Sequence, residues 1–182
     1  MRGPVVRRGG ALLVLCLLLP PAAFASDAGD PCAGFAWDVH HERTLFGAKP
    51  LSLAASKDAV SSPALTTDRL YELKMSALPQ VAFAVAPGRR SASAAAYGGL
   101  ATLTVAQPGV YRISINRPFW VDVLADGAAI RARDFQGRPG CNAPHKIVEF
   151  VLPAATRLTL QFSGDAASTI RVAVSRPPQP PA

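Results

Sequence analysis

From residue 51 onwards, short segments of the chain alternate between apolar and polar positions with a period of two. Such alternation is typical of strands that bury one face, and turn-forming pairs such as Pro108-Gly109 and Asp126-Gly127 separate the segments. The segments are 51–55, 71–75, 81–85, 103–105, 111–115, 119–124, 147–152, 158–162 and 170–174. This spacing predicts a mainly β protein with a single antiparallel β-sandwich of jelly-roll-like form.

One stretch favours a short N-terminal helix. Phe35, Val39 and Phe46 recur near helical spacing, and Gly47 with Pro50 supplies a stop. Because residues 35–39 also alternate like a strand, the start of this helix stays open at the level of sequence.

The first 25 residues predict a cleavable secretory signal. Three arginines precede an unbroken apolar run, and Ala23-Phe24-Ala25 offers the small residues that a signal peptidase reads. The apolar run is about half the length needed to span a bilayer, so an uncleaved membrane anchor is the weaker interpretation. No membrane span is expected after cleavage. The predicted organisation is a signal peptide at 1–25, one domain at 26–175 and a proline-rich tail at 176–182.

Removal of the signal lowers the formal net charge from +7 to +4, because residues 1–25 hold three arginines and no acidic residue. The remaining basic residues are scattered along the chain rather than gathered in a stripe, which argues against nucleic-acid binding. The predicted location is periplasmic or secreted.

Two cysteines remain after cleavage, Cys32 and Cys141. An even pair in an oxidising compartment predicts one disulfide, which would close a loop of about 110 residues and stabilise the fold by about 4–5 kcal/mol. The alternative is a pair of thiols held for a metal or for catalysis. The disulfide would place the segment after Cys32 beside the loop that holds Cys141.

The densest group of polar residues lies between 131 and 146, in what the pattern predicts to be a long loop. Loops on rigid sheets are common sites of function. One interpretation is a binding surface for an anion or a glycan, with Trp120 or Phe135 as an apolar floor. Its candidate residues are Arg131, Arg133, Asp134, Arg138, Lys146 and Trp120. A structural interpretation competes with it, in which these side chains satisfy one another and Trp120 packs in the core.

A metal site is the other chemical interpretation. All three histidines lie in segments that the disulfide would bring together, and His145 with His40 or His41 and Glu42 would suit iron or zinc. Adjacent histidines point in different directions, so one of the pair at most would join His145. No spaced ligand motif and no nucleophile motif supports an enzyme directly.

Four segments carry a family resemblance: Cys32–Val39, Phe119–Val123, Arg133–Cys141 and His145–Phe150. They resemble a family of small exported proteobacterial proteins that has no assigned activity and includes members labelled homogentisate 1,2-dioxygenase. That enzyme is a longer, cytoplasmic, cupin-type protein with a two-histidine, one-glutamate iron site. This sequence lacks the length, the compartment and the ligand motif, so the resemblance does not carry the activity over. The strand pattern is also similar to pre-peptidase C-terminal and carbohydrate-binding sandwiches, at the level of fold alone.

The sequence therefore favours an exported binding or structural module over a catalyst. Its expected partner is a small molecule, a glycan or an envelope protein, and no cofactor is required. The alternative is a metal-dependent, dioxygenase-like enzyme that holds iron or zinc on the histidine and glutamate set given above.

Overall fold

The structure is a computed structural model, which describes Gly3, residues 30–89 and residues 95–178. Apart from Gly3, the predicted signal peptide lies outside the described residues. The small residues at 88–99 predict a loop, and residues 90–94 of it lie outside the described residues. Residues 179–182 of the predicted tail lie outside them too.

The described chain forms two β-sheets, one short helix and one 3-10 turn, as the period-two pattern predicts. Sheet A has the strand order β1 (Leu51–Ala54), β3 (Leu70–Lys74), β12 (Thr169–Ser175), β6 (Gly109–Ile115), β10 (Lys146–Leu152) and β9 (Asp134–Gly137). Sheet B has the order β2 (Ala64–Leu65), β5 (Tyr97–Leu103), β11 (Leu158–Asp165), β7 (Trp120–Ala125) and β8 (Ala128–Ile130), and β4 (Ser76–Ala77) also pairs with β5. The helix α1 spans His40–Phe46, and the 3-10 turn spans Leu78–Gln80.

Both sheets are mixed rather than purely antiparallel. The edge strand β1 runs parallel to β3, and β2 runs parallel to β5. Every other named pair of strands in the described residues is antiparallel. The prediction of a sandwich is confirmed, with the difference that a short first strand in each sheet enters in parallel.

The main core lies between the sheets and is built from alternate residues of the central strands. Ile113 and Ile115 of β6, Val172 of β12, Leu160 and Phe162 of β11 are fully buried there. Because side chains alternate across a strand, the residues between them face outward from the sandwich. Those outer positions would meet solvent if nothing covered them.

A segment that we call the N-terminal cover, residues 32–46, lies over the outer face of sheet A. Leu45 and Phe46 of α1 pack against Leu70 and Ala173, which are cross-strand neighbours on that face. The disulfide between Cys32 and Cys141 ties the start of the cover to the loop before β10, with 4.8 Å between the two Cα atoms. The predicted disulfide pair is therefore present in the structure.

A second segment, residues 78–89, crosses the outer face of sheet B, and we call it the strap. The sequence predicts a strand at 81–85, but the structure has irregular backbone there. The amides of Ala84 and Val85 donate to Oε1 of Gln161 at 2.8 and 3.3 Å, and Nε2 of Gln161 donates to the carbonyl of Val85 at 3.2 Å. A buried side chain of β11 thus supplies the hydrogen bonds that a neighbouring strand would have supplied.

Several boundaries differ from the prediction. The helix is shorter, since Trp37 and Asp38 turn toward sheet A instead of entering α1. The loop predicted at 88–99 ends early, because Gly98 and Gly99 lie in β5. A Cβ at Gly98 would lie 2.9 Å from the carbonyl oxygen of Phe162, and a Cβ at Gly99 would lie 2.6 Å from the side-chain Cβ of Ala55, so these glycines permit close packing. The loop predicted at 131–146 contains β9.

Candidate functional site

Two of the predicted binding residues meet at one end of the sandwich, where the chain crosses from sheet A to sheet B. Trp120 begins β7 and faces outward, because Val121 and Val123 on either side of Asp122 point into the core. Lys146 begins β10 in the other sheet. Its Nζ lies 5.7 Å from the centroid of the Trp120 ring and donates a hydrogen bond to the carbonyl oxygen of Phe119.

Asp122 holds the indole ring in place. Trp120 and Asp122 are two residues apart on the same face of β7, and Nε1 of Trp120 donates to Oδ1 of Asp122 at 2.8 Å. The other carboxylate oxygen accepts the amide of Gly88 at the end of the strap, at 3.2 Å. Trp120 is 37% exposed, so part of this residue stays open to solvent while the edge of its ring is fixed.

The strap approaches the ring so closely that position 88 admits no side chain without movement. A Cβ there would lie 2.8 Å from Nε1 of Trp120 and 2.9 Å from Oδ1 of Asp122. Gly88 therefore lets the backbone contact both groups. The next residue, Arg89, brings a second cation to the same end of the sandwich.

The environment of Lys146 lowers the pKa of its amine from 10.5 to about 8. Burial of the side chain is the main cause, the positive charge of Arg89 adds to it, and the negative charge of Asp122 opposes it. Near neutral pH the cluster thus holds two cations and one carboxylate, and one of the cations loses its proton in the mildly alkaline range. We call Trp120, Asp122, Lys146 and Arg89 the Trp120–Lys146 patch.

The other predicted binding residues lie along or beside the edge strand β9. They are Arg131, Arg133, Asp134 and Arg138. In the described part of the chain, no hydrogen bond or ion pair joins them to Trp120 or Lys146.

Each of these four residues has its own surroundings. Arg131 is exposed, and Arg133 is 57% exposed with Nη1 3.7 Å from Oε2 of Glu149. Oδ1 of Asp134 accepts a hydrogen bond from the backbone amide of Phe135, and the guanidinium of Arg138 lies against Gly34. The predicted set of six binding residues is therefore divided between an edge strand and the end of the sandwich.

The histidine and glutamate residues of the metal hypothesis occupy separate positions. Nε2 of His41 lies 2.7 Å from Oδ1 of Asp68. The amide of His145 donates to the carbonyl of Ile115 in β6, and its carbonyl accepts the amide of Arg138. Glu42 is fully buried and accepts Oγ of Ser175 at 2.8 Å. In the parts of the chain that the structure describes, which include all three histidines, no three His, Cys, Asp or Glu side chains are grouped to hold a metal. The iron or zinc site stays a prediction that these positions do not support.

A buried charge cluster, which the sequence pattern did not indicate, lies under the N-terminal cover. Arg112 of β6 is 5% exposed; its Nε donates to Oε1 of Glu149 at 3.0 Å, and its Nη1 donates to the carbonyl of Asp38 at 2.7 Å. Nη1 also lies 3.4 Å from Oε1 of Glu42, and the guanidinium stacks 4.8 Å from the ring of Trp37. Arg112 thus joins sheet A to three residues of the cover, Trp37, Asp38 and Glu42.

The alternation of Tyr111, Arg112 and Ile113 indicates a solvent-facing arginine when no covering segment is known. The one sequence feature that points to a buried charge pair is Glu149, which interrupts the apolar run 147–152 on the strand paired with β6. A charge inside an apolar strand is usually paired when it is buried. That its partner is Arg112 becomes clear only from the register of β6 and β10, which places the two residues opposite each other.

An open depression of about 480 Å³ lies on the N-terminal cover, beside the start of α1. It is lined by Trp37, Asp38, Val39, His40, Arg43 and Thr44. Arg43 at its rim pairs with Asp30 at 2.8 Å, and this ion pair is about half exposed. The backbone amide of Cys32, followed by Arg43, lowers the pKa of Asp30. No residue of the Trp120–Lys146 patch lines this depression.

The fold and the site together define a two-sheet β-sandwich with a disulfide-tied cover on one sheet, a strap on the other and an aromatic–cationic patch at one end. No protein-family model matches the chain, and no curated protein matches it either. Within the described residues, no helix has the length and apolar character needed to cross a bilayer.

Proposed function

We propose that this protein is an exported binding module that takes its ligand on the Trp120–Lys146 patch. The observation that carries the proposal is an exposed indole ring whose edge is fixed by Asp122 and whose neighbour is a lysine amine. Ligand sites commonly combine an aromatic surface with a few placed polar groups. A ring that is already fixed loses little freedom when a ligand binds, which favours affinity.

Export is the part of the proposal that rests on the sequence and on the cysteines. Residues 1–25 have the three-part pattern of a secretory signal, and the mature chain would begin at Ser26. The bond between Cys32 and Cys141 suits an oxidising compartment, since cytosolic thiols are kept reduced. The proposed location is therefore the periplasm or the exterior of the cell.

The ligand class follows from the charges around the ring. Asp122 already accepts two hydrogen bonds, from Trp120 and from Gly88, whereas Arg89 and Lys146 bring two positive charges. An acidic sugar fits this arrangement, because the apolar face of the sugar can stack on the indole while its carboxylate pairs with the cations. A neutral sugar would use the stacking alone, and a cationic ligand would be repelled.

The test is a titration of the mature protein with glucuronate and galacturonate, in which the fluorescence of Trp120 reports binding. The Trp37→Phe variant leaves Trp120 as the single tryptophan, since the chain has two. We expect acidic sugars to change the emission at concentrations at least tenfold below those of glucose. The Trp120→Ala and Arg89→Gln variants, followed by calorimetry, should lose this binding.

Arg131→Gln is the matched control, because Arg131 is an exposed arginine outside the patch. It should bind acidic sugars as the unchanged protein does. Equal affinity for glucose and glucuronate, or full binding by folded Trp120→Ala protein, would contradict the proposed function.

A further inference from the structure

We propose that Lys146 is a carbonyl-reactive amine, which forms a reversible imine with an aldehyde or an α-keto acid held against the Trp120 ring. This inference rests on the proposed function, since it uses the same patch and adds a covalent step to binding there. Its chemical class of ligand is a small carbonyl compound that also carries a carboxylate.

The first argument is the position of the amine. Nζ lies beside the indole ring and, among the described residues, donates one hydrogen bond, to the carbonyl oxygen of Phe119. Across the described residues, no carboxylate lies within ion-pair distance of Nζ. The residue paired with Lys146 on β9 is Gly137, which has no side chain to cover the lysine stem. A ligand that stacks on Trp120 would therefore meet Nζ directly.

The second argument is the protonation state. Only the neutral form of an amine attacks a carbonyl, and an ordinary lysine is roughly 0.4% neutral at pH 8. Burial and the charge of Arg89 lower the pKa of Lys146 to about 8, so that close to half of it is neutral at that pH. This is a gain of roughly a hundredfold in reactive amine, partly offset because a less basic amine is a weaker nucleophile. The net expectation is a reaction about tenfold faster than at an ordinary lysine.

The third argument is the fate of the intermediate. Neutral Nζ attacks the carbonyl carbon, a C–N bond forms, and the carbonyl oxygen takes up a proton to give a carbinolamine. Loss of that hydroxyl as water and of the remaining proton on nitrogen gives the imine, with no change of oxidation state. The negative charge of Asp122, which already acts on Lys146, favours the cationic iminium form, and the indole face favours it too. Hydrolysis reverses the sequence.

The fourth argument concerns the carboxylate of the ligand. The positive charge of Arg89 acts on Lys146. A guanidinium can bind a carboxylate through two parallel hydrogen bonds. A ligand that places its carboxylate on Arg89 would present an adjacent carbonyl carbon to Nζ. Glyoxylate is the smallest compound with both groups, and it serves as the probe.

The experiment is reductive trapping of the mature protein with glyoxylate and cyanoborohydride at pH 8, followed by peptide mapping. The chain has four lysines, and Lys49, Lys57 and Lys74 are exposed whereas Lys146 is half-buried. Exposure alone therefore predicts that Lys146 reacts last. We expect Lys146 to gain a carboxymethyl group about tenfold faster than the other three, with a pH dependence centred near 8.

Arg89→Gln and Lys146→Arg complete the design. Arg89→Gln should slow the labelling of Lys146 and move its pH midpoint upward, while the other lysines react unchanged. Lys146→Arg should abolish the fast phase and keep the charge. Labelling of Lys146 at or below the rate of the exposed lysines would overturn the inference.

A methyl glycoside of glucuronate separates this inference from the proposed function, since its ring cannot open to an aldehyde. Binding of the glycoside without fast labelling of Lys146 would leave the proposed function standing and reject the imine. Fast labelling without binding of the glycoside would support the reactive amine and reject acidic sugars as the ligand class.

Discussion

The buried arginine of strand β6 offers the sharpest test of how the N-terminal cover is held. Arg112→Met removes the guanidinium that bonds Glu149 and the carbonyl of Asp38, and that lies 3.4 Å from Glu42. It leaves one fully buried carboxylate, at Glu42, and another that is 7% exposed, at Glu149. Methionine keeps much of the aliphatic volume, so the change acts mainly on the charges.

Removal of one member of a buried charge cluster costs about 3–5 kcal/mol, because the remaining charges lose their compensation while staying out of water. Arg171→Met is the matched control. It removes an arginine from the same sheet that pairs with a cross-strand glutamate, Glu72, at 3.4 Å, but the two side chains are 45% and 35% exposed. Exposed pairs of this kind contribute about 0–1 kcal/mol.

The assay is urea unfolding of the oxidised protein. With a slope of about 2 kcal/mol per molar urea, typical of a small domain, Arg112→Met should lower the midpoint by about 2 M, and the control by less than about 0.5 M. Glu42→Gln and Glu149→Gln, added to Arg112→Met, should recover most of the loss, since the buried charges are then gone. An Arg112→Met midpoint equal to that of the control would refute the reasoning, because it would mean that water already solvates the cluster.

Three further outcomes are expected. Replacement of Cys32 and Cys141 by serine should lower the free energy of unfolding by about 4–5 kcal/mol in the same assay, because the bond closes a loop that holds most of the domain; an unchanged stability would contradict this. Gln161→Leu should cost about 1–3 kcal/mol and open the strap to proteolysis, since it leaves three backbone groups of the strap unpaired, and protection equal to the unchanged protein would argue against that anchor. Between about pH 8 and 10.5 Lys146 is protonated in the unfolded chain but has lost its proton in the folded protein. The free energy of unfolding should therefore rise with pH across that window, and paired urea titrations of the unchanged protein and Lys146→Met would measure the difference.

The sandwich itself could be predicted because strands such as β6 have apolar residues at inner positions and polar residues, Arg112 and Ser114, at outer ones. Tyr111, Ile113 and Ile115 face the core, and the alternation that marks them is a local property of the sequence. The same rule failed at 81–85, where the apolar residues face a sheet but the backbone bonds to Gln161 rather than to a strand. Alternation reports which side of a segment is buried, and it does not report what satisfies its amides.

The candidate site could be predicted in part. The sequence predicts Trp120 and Lys146 as binding residues, and the structure brings them together. The sequence does not indicate Asp122 and Arg89, because their roles depend on the path of the strap across sheet B. Local sequence contains no information on that path, since residues far apart in the chain meet there.

The two covering segments follow one physical scheme. On each sheet, one buried polar side chain of a central strand faces outward and bonds the backbone of the segment above it. On sheet A, Arg112 donates to the carbonyl of Asp38 in the N-terminal cover. On sheet B, Gln161 accepts the amides of Ala84 and Val85 in the strap. Apolar contact alone is non-directional and would leave a cover free to slide, whereas a hydrogen bond in a dry environment has one favourable geometry.

This scheme links the interior of sheet B to the proposed ligand site. Gln161 and Asp122 are cross-strand neighbours on the outer face, and both bond the strap, one near its middle and the other at Gly88. The position of the strap therefore sets the contact of Gly88 with the indole edge, and it also sets where Arg89 stands relative to Lys146. A change at Gln161, which is fully buried and does not belong to the patch, should for that reason raise the pKa of Lys146 as Arg89 moves away, and the pH midpoint of lysine labelling measures this shift.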